Sequence, residues 1–158
     1  MATPVRKAVD DELLALDRQL CFKLYAASRA VTKLYRPLLD ELGLTYPQYL
    51  VLLVLWEWDH RAPPPSPTVK ALGERLMLDS GTLTPLLKRL EAQGLLSRRR
   101  SPRDEREVTL ALTEAGRALQ ERASAVPERL LCATALPLAD LLRVRDEIDH
   151  LLEALTAG

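Results

Sequence analysis

The sequence predicts a mainly α-helical fold that contains one small β-hairpin. Three observations predict it. Apolar residues recur at three- and four-residue steps through most of the chain, two short runs with strand character lie close together at 95–112, and capping residues, glycines and prolines separate the segments. The 158 residues suffice for one domain with a sizeable core, and 47% hydrophobic with 28% charged residues is an ordinary globular composition.

The first predicted helix runs from Asp10 to Glu41. An apolar stripe follows it at helical spacing, formed by Leu13, Leu16, Leu20, Leu24, Ala27 and Val31. Because Phe22 and Tyr25 lie off this stripe, the helix is apolar on more than one face. Such a helix is typical of burial against a second chain, so the sequence predicts a homodimer.

A second helix and a stiff connector follow. Gly43 ends the first helix, and Thr45 caps the second, which carries Pro47 near its first turn and runs through Trp56. The connector 59–67 contains four prolines, which exclude a helix and a sheet ladder. We expect an exposed connector, and a docking motif for a partner is the weaker alternative.

Two short helices and a hairpin come next. The helices are expected at Val69–Leu76 and Ser80–Gln93, and the strands at 95–99 and 108–112, with a charged tip between the strands. A helix-turn-helix followed at once by a two-stranded hairpin is the winged form. This order is typical of DNA-binding proteins.

The remaining segments are expected to make a dimer. A long helix is predicted from Thr113 to about Cys132, and Pro137 separates it from a last amphipathic helix. The predicted organisation is therefore a single domain with a winged DNA-binding lobe and terminal dimerisation helices. The ranges are 1–158 for the domain, 46–112 for the lobe, and 10–45 with 113–156 for the dimerisation helices.

Charge and composition limit the possible partners. The formal net charge is +0, so any attraction for nucleic acid has to come from local clusters of positive residues. No apolar run approaches the roughly 18–20 residues of a membrane span, and no secretory pattern is present, so we expect a cytoplasmic protein without a membrane partner. Neither a CxxC pair nor a metal-ligand spacing occurs, and we expect no metal and no cofactor; His60 and His150 are expected on the surface.

The helix Ser80–Gln93 has the pattern of a recognition helix. Its leucines form an inner face, and the outer face with its flanks carries hydroxyls and cations suited to a major groove. The candidate DNA contacts there are Ser80, Thr82, Thr84, Pro85, Lys88 and Arg89. The hairpin adds Arg98, Arg99, Arg100, Arg103 and Arg106, which suit the adjacent minor groove. In an extended tip Asp104 points the same way as Arg106, so we expect it to orient that arginine.

Cys21 and the tyrosines that follow it suggest a second site. Tyr25 is one helical turn from Cys21, whereas Tyr35 reaches a Cys21 only if the long helices of two chains cross. Phenol hydroxyls that donate to the sulfur stabilise a thiolate, the form that attacks a peroxide, and Phe22 would receive an alkyl chain. From the residues alone, a buried cysteine in an aromatic dimer core is the slightly favoured alternative.

Three segments carry a resemblance to a known family. They are Leu20–Glu57 with its LCFKLY start, Leu72–Leu96, and Ser101–Leu119 with the wing sequence Asp104-Glu105-Arg106. The chain resembles the MarR family, and within it the OhrR branch of organic hydroperoxide sensors. The resemblance implies that Cys21 is the peroxide-reactive residue. It also implies a thiol pocket in which Tyr35 and Tyr46 of the other subunit hydrogen-bond the sulfur, with Tyr25 as a further member.

The resemblance further implies a two-cysteine mechanism. Oxidation of Cys21 to a sulfenic acid would be followed by a disulfide with Cys132 of the partner subunit and by release of a pseudo-palindromic operator. The implied DNA contacts are Ser80, Thr82, Thr84 and Arg106. Two departures from the branch are Lys23, where a small apolar residue is usual, and the long connector 59–67.

Two other functions stay open at this point. A MarR-type repressor could respond to a small ligand that binds without covalent chemistry, and it would need no reactive thiol. A thiol peroxidase would turn over peroxide, but the wing and the recognition helix would then have no purpose. The favoured prediction is a regulator, not an enzyme, whose inducer is an organic hydroperoxide.

Overall fold

The computed structural model describes residues 13–61, 64 and 66–157. Within that part, seven α-helices and one antiparallel hairpin follow each other in the predicted order. They are α1 (Leu20–Asp40), α2 (Tyr46–His60), α3 (Val69–Leu76), α4 (Ser80–Ala92), β1 (Leu96–Arg100), β2 (Val108–Leu112), α5 (Glu114–Ala123), α6 (Val126–Thr134) and α7 (Leu138–Thr156). The mainly α fold with a helix-turn-helix and a wing is confirmed.

The first helix is shorter than predicted. The sequence pattern suggested a start at Asp10, which lies outside the described residues, but α1 begins at Leu20 and a single 3₁₀ turn, Leu16–Arg18, precedes it. The reason is local: Gln19 has an extended backbone, and its side-chain amide donates to the carbonyls of Leu13 and Ala15. The later start places Cys21 in the first turn of α1 instead of mid-helix.

Capping residues set the start of α2 as predicted. The hydroxyl of Thr45 accepts from the backbone N–H of Gln48, and the Gln48 side chain accepts from the backbone N–H of Thr45, which is a capping box. At the other end, α2 extends to His60 and so includes the first two residues of the predicted connector. Arg117 of α5 holds Asp59 there through three hydrogen bonds of 2.9, 3.0 and 3.1 Å.

The helix-turn-helix is closed by an approach of two backbones. A Cβ at Gly73 of α3 would lie 2.7 Å from the carbonyl oxygen of Leu78, so the residue at 73 has to be glycine for the turn to close this tightly. Met77 ends α3 in the left-handed region at φ 54°. The side chain of Asp79 then caps α4 by accepting from the N–H of Thr82 at 2.8 Å.

The hairpin pairs in a simple register, with Leu96 opposite Leu112 and Arg100 opposite Val108. Strand β1 starts one residue later than predicted because the N–H of Leu95 is bonded to the carbonyl of Leu90, at the end of α4. The end of the proline connector lies along the other edge, where the N–H of Leu110 donates to the carbonyl of Pro67 at 2.8 Å. The wing is therefore tied to the segment that precedes α3.

The predicted long helix after the hairpin is two helices. It was expected from Thr113 to about Cys132, but α5 ends at Ala123 and α6 begins at Val126. Pro127 explains the break, because proline has no N–H to donate to the carbonyl of Ala123, four residues earlier, and its ring crowds that carbonyl. As a result Cys132 lies on a short helix of its own.

The core lies between α2 and the winged part of the chain. The leucines of α3 and α4 and the inner residues of α2 are almost completely buried. Trp56 crosses to α5, where its Nε1–H donates to the carbonyl of Gly116 at 2.9 Å. A Cβ at Gly116 would lie 2.0 Å from the carbonyl oxygen of Leu95, so α5 packs directly against the backbone that precedes β1.

The last helix contributes nothing to this core. No residue of α7 is buried, and large apolar side chains remain exposed along it. These include Leu138, Leu142, Val144, Ile148, Leu152 and Leu155, exposed by 37% to 70%. None of the helices in the described part of the chain has the length and apolar character that a membrane crossing needs.

Candidate nucleic-acid interface and thiol site

Helix α4 presents two distinct faces. Leu83, Leu87 and Leu90 are buried, with at most 1% of their surface exposed, and Leu86 is half-buried beside them. The six predicted DNA contacts of this helix are all exposed: Ser80, Thr82, Thr84, Pro85, Lys88 and Arg89. The core therefore holds the helix by its leucines and leaves the opposite surface open to solvent.

The wing arginines do not share one face. Successive side chains of a strand point to opposite sides, so Arg98 and Arg100 lie on one face of the hairpin and Arg99 on the other. Arg99, Arg100, Arg103 and Arg106 are exposed. The sequence predicted one basic end, but the pleat divides its cations between two directions.

The guanidinium of Arg98 is hydrogen-bonded to a side chain of the same chain. Its guanidinium donates to Glu91 of α4 at 2.6 and 2.9 Å, and its backbone N–H donates to the same carboxylate at 3.1 Å. These bonds lower the pKa of Glu91, the side-chain bond most of all. These bonds connect the recognition helix to the wing, and Arg98 also lines the groove between them; its contact with DNA stays a prediction.

The wing tip is folded rather than extended. The carboxylate of Asp104 accepts from the backbone N–H of Arg106 at 2.9 Å, and the N–H of Glu107 donates to the carbonyl of Asp104 at 3.0 Å. Asp104 thus positions the backbone at Arg106 in a turn instead of the expected extended tip, and an orienting effect on the guanidinium itself stays a prediction. The exposed Arg106 side chain is left to project from a defined turn.

A groove of about 870 Å³ separates α4 from the wing. Ser80 and Thr84 line it from the helix and Arg106 from the tip, with Met77 at the turn between α3 and α4. The structure therefore brings the start of the recognition helix and the predicted wing arginine to one concave surface.

Cys21 is exposed and unbonded at the second position of α1. The first N–H groups of a helix have no partners within the helix and favour an anion nearby. Lys23 approaches the Phe22 ring at 5.8 Å and Asp17 at 3.7 Å, so this cation lies on the surface beside the thiol. Tyr25 is exposed by 61%, and Arg29 stacks over its ring at 5.5 Å.

The other predicted pocket residues lie at the opposite end of α1. Tyr35 and Tyr46 have ring centroids 4.7 Å apart, and Tyr49 lies 5.8 Å from Tyr35. Burial, followed by the influence of Tyr46 and Tyr49, raises the pKa of Tyr35 to about 12. Burial also raises the pKa values of Tyr46 and Tyr49. These phenols therefore keep their protons and can donate hydrogen bonds.

Two parts of the predicted thiol pocket are separated within one chain. The fourteen residues from Cys21 to Tyr35 span about 21 Å of helix. Cys21, Phe22 and Tyr25 thus form one group, and Tyr35 with Tyr46 forms another. A second copy is needed to bring an exposed thiol to a tyrosine pair.

Cys132 lies near the end of α6, and it is exposed and unbonded. Three residues earlier on this helix, Arg129 donates to the carboxylate of Glu41 at 2.7 and 2.9 Å, and that bond lowers the pKa of Glu41. Arg122 of α5 donates to the backbone carbonyl of Glu41 at 2.8 Å. The end of α1 is therefore bonded to both helices that flank the break at Pro127.

Sequence reasoning missed several residues that shape these sites. Glu91 holds Arg98, Tyr49 completes the tyrosine group, and Glu41 anchors α6. Their partners are 7, 14 and 88 residues away, so the two longer contacts had no local signal. Among the described residues, no cluster of three or more histidines, cysteines or acids has the arrangement of a metal site.

Comparisons with known proteins agree with this architecture. The sequence profile of the family described as "Transcriptional regulator SarA/Rot" matches residues 33–122. The organic hydroperoxide resistance transcriptional regulator of Bacillus subtilis is 51% identical over 142 residues, which are 90% of this chain and 92% of that protein.

Solved structures give the same result. AbfR of Staphylococcus epidermidis, solved in its reduced form bound to DNA, is 38% identical with a TM-score of 0.71, over 92% of this chain and 98% of that one. Its disulfide form gives a TM-score of 0.61 over 94% and 98%. PcaV of Streptomyces coelicolor, solved with its natural ligand, is 26% identical with a TM-score of 0.75, over 90% and 97%.

Proposed function

Because this chain belongs to the SarA/Rot family of transcriptional regulators and has their MarR-type winged fold, we propose that it is a redox-sensing DNA-binding repressor. In this proposal an organic hydroperoxide oxidises Cys21, and the protein then releases its operator. The observation that carries it is the divided thiol site, with an exposed Cys21 at one end of α1 and a protonated tyrosine pair at the other. The relatives named for hydroperoxide resistance and for DNA-bound and disulfide forms support it.

The DNA part of the proposal rests on the exposed face of α4 and on the wing tip. The proposed contacts are Ser80, Thr82, Thr84, Pro85, Lys88, Arg89, Arg98, Arg99, Arg100, Arg103 and Arg106, with Asp104 shaping the tip. A two-fold dimer would bind a pseudo-palindromic operator in cytoplasmic double-stranded DNA, with half-sites about one helical turn apart. Residues 10–45 and 113–156 would form the dimer contacts around the lobe 46–112.

The oxidation step needs an alkyl hydroperoxide and a Cys21 thiolate. The sulfur attacks the terminal oxygen of the peroxide, the O–O bond breaks, and the alkoxide leaves and takes up a proton as an alcohol. Cys21 is then a sulfenic acid. Tyr35 and Tyr46 of the partner subunit would donate to the thiolate before the attack, since they are protonated donors.

The second step joins Cys21 to Cys132 of the partner. The thiolate of Cys132 attacks the sulfenic sulfur, an S–S bond forms, and the hydroxyl leaves as water. Within one chain, about 30 Å of helix separate Cys21 from Glu41. The two extended side chains of the Glu41–Arg129 bond and three helical residues together span at most roughly 20 Å. The Cα atoms of Cys21 and Cys132 in one chain therefore stay at least roughly 10 Å apart. A disulfide needs about 4.4–6.8 Å, which favours a bond between chains.

The disulfide would act on the DNA-binding lobe through α6 and α5. Drawing Cys132 toward a partner thiol pulls on α6, which follows α5, and α5 contacts the lobe through Trp56 and Gly116. A rotation of the two lobes would spoil their match to adjacent half-sites. A coupling of about 3 kcal/mol is enough to lower operator occupancy more than a hundredfold.

The test is a titration of a labelled operator fragment before and after cumene hydroperoxide. We expect affinity to fall at least a hundredfold, Cys21→Ser to bind DNA and ignore the oxidant, and Cys132→Ser to form a sulfenic acid without a cross-linked dimer on a non-reducing gel. Unchanged affinity of the oxidised wild type would contradict the redox proposal. Steady-state consumption of peroxide would instead indicate a thiol peroxidase.

A second candidate function is a repressor that binds a small ligand without covalent chemistry. A cleft of about 590 Å³ between α2 and the α5–α6 pair favours it. Its lining includes Trp56, His60, Arg61, Arg75 and Gln120. The two functions differ in one measurement: alkylation of Cys21 abolishes a response to hydroperoxide and leaves a response to a ligand in this cleft intact.

A further inference from the structure

The hydroxyl proton of Thr84 is already used in a hydrogen bond within α4. Its Oγ1 lies 2.7 Å from the backbone carbonyl oxygen of Ser80, one turn earlier on α4. A carbonyl oxygen can only accept, so the hydroxyl donates in this bond. What Thr84 presents to solvent is therefore a methyl group and the lone pairs of an oxygen.

The hydroxyl of Thr82 is also a donor in a hydrogen bond, but its acceptor is a side chain. Its Oγ1 lies 3.1 Å from one carboxylate oxygen of Asp79, while its N–H donates to the other at 2.8 Å. These two bonds lower the pKa of Asp79, the backbone bond most of all, so the carboxylate is ionised and can only accept. The Thr82 hydroxyl is consequently the donor, and its outward side is again an acceptor.

The backbone at Pro85 adds no donor. This residue has no N–H to give, and its ring crowds the carbonyl of Gly81, four residues earlier. The cations of the helix are Lys88 and Arg89, roughly 6–10 Å further along the axis from Thr82 and Thr84. On the exposed face of the first turns, the side chains of Thr82 and Thr84 therefore present acceptors and methyl groups.

We propose that this surface makes Thr82 and Thr84 select bases whose amino group lies in the major groove, adenine or cytosine, and reject guanine at the positions that they contact. The inference rests on the proposed DNA-binding function. In the major groove, adenine N6 and cytosine N4 donate, whereas guanine N7 and O6 only accept. An acceptor facing a guanine edge would leave both groups unpaired after they lose water.

The experiment begins with selection from a random duplex library by the reduced protein. We expect each half-site to hold two positions where adenine or cytosine is enriched and guanine is depleted about tenfold or more on the contacted strand. Single-position competition then compares the selected duplex with one in which purine replaces adenine, or pyrimidin-2-one replaces cytosine. Loss of the amino group alone should weaken binding about tenfold, and this measurement needs no protein variant.

Variants assign the effect to the two threonines. Thr82→Val and Thr84→Val keep the shape and the methyl group but remove the acceptor, so each should abolish discrimination at one position and leave the others unchanged. Thr156→Val is the matched control, because Thr156 of α7 makes the same bond to a carbonyl four residues earlier, at 2.8 Å. It should leave the selected sequence unchanged.

The outcomes separate this inference from the function on which it rests. Enrichment of guanine at the contacted positions, or valine variants that discriminate as the wild type does, would overturn the inference while DNA binding stands. A library from which no sequence is enriched would overturn both.

Discussion

The winged part of the chain and the terminal helices differ in how far their apolar residues are buried. In α3 and α4, Leu72, Leu83 and Leu90 are completely buried within a single chain. In α7, Ile148 and Leu152 remain 38% and 37% exposed, and none of its residues is buried. The winged part is complete in one copy, whereas α7 has an apolar face that no part of the chain within residues 13–61, 64 and 66–157 covers.

The two candidate sites also differ in whether one chain is enough to form them. The DNA-contacting surface lies on one chain, from the Asp79 cap of α4 to the Asp104 turn of the wing. The proposed thiol site is divided along α1, and its parts would meet only between two chains. If the operator-binding surface is complete in each chain and the sensor forms only between chains, oxidation would act by changing the geometry of the dimer.

The largest expected effect comes from placing charges on the exposed apolar face of α7. Ile148→Glu combined with Leu152→Glu places two charges on the apolar side of α7, and we expect a monomer whose operator affinity falls more than a hundredfold, because both half-sites can no longer be bound together. Light scattering and an operator titration measure the two effects. His150→Glu, on the opposite side of the same helix, should stay dimeric; a dimeric double variant would contradict the assignment.

The next largest effect concerns the part of the molecule whose core is complete within one chain. Gly116→Ala would place a Cβ 2.0 Å from the Leu95 carbonyl, and we expect the free energy of unfolding to fall by about 3 kcal/mol. Gly94, at φ +72° with nothing near its missing Cβ, is the matched control. Gly94→Ala should cost about 1 kcal/mol from backbone strain alone. Equal losses in urea unfolding would show that the packing at Gly116 is not tight.

A third prediction concerns Tyr35, where the two regions meet. Its pKa is raised to about 12 in the folded chain, and the phenol is protonated in both states below pH 10. Its contribution to the free energy of unfolding is therefore complete below pH 10 and is lost as the pH rises from 10 to 12. The loss is up to about 2 kcal/mol. Tyr35→Phe should flatten this alkaline decline in urea unfolding. If the variant declines as steeply as the wild type, Tyr35 does not cause it.

The smallest effect is at the turn of the helix-turn-helix. Met77 adopts φ 54° and ψ 41°, a region that glycine occupies without a steric cost. Met77→Gly should therefore raise the free energy of unfolding by about 0.5–1 kcal/mol without changing the oligomeric state. A decrease measured by urea unfolding would mean that the exposed Met77 side chain, and not its backbone, dominates this turn.

Local signals in the sequence carried much of the fold. Thr45 was predicted as a helix cap, and Thr45, Thr68 and Asp79 each accept from a backbone N–H three residues later. The leucine spacing of α4 identified its buried face in the same way. Capping and helical spacing involve residues a few positions apart, so their physics is contained in a short window of sequence.

Other features were not visible in such a window. The break before Pro127 was missed because the apolar spacing continues across it, although the proline itself was the available signal. The pairing of Arg98 with Glu91 depends on how β1 approaches α4, and the turn at Asp104 replaced an expected extended tip. Surface cations at the wing were therefore predicted as one group when the structure divides them.

The sequence by itself determined the order of most elements, which face of α4 carries the leucines, and where Cys21, Tyr25 and Tyr35 stand along α1. Tertiary structure alone decided that Tyr35, Tyr46 and Tyr49 form one protonated group, that Glu41 anchors α6, and that α7 is left uncovered. The physical reason is range. Capping, spacing and proline effects act over a few residues, whereas burial and ion pairing depend on side chains that folding brings together from distant positions.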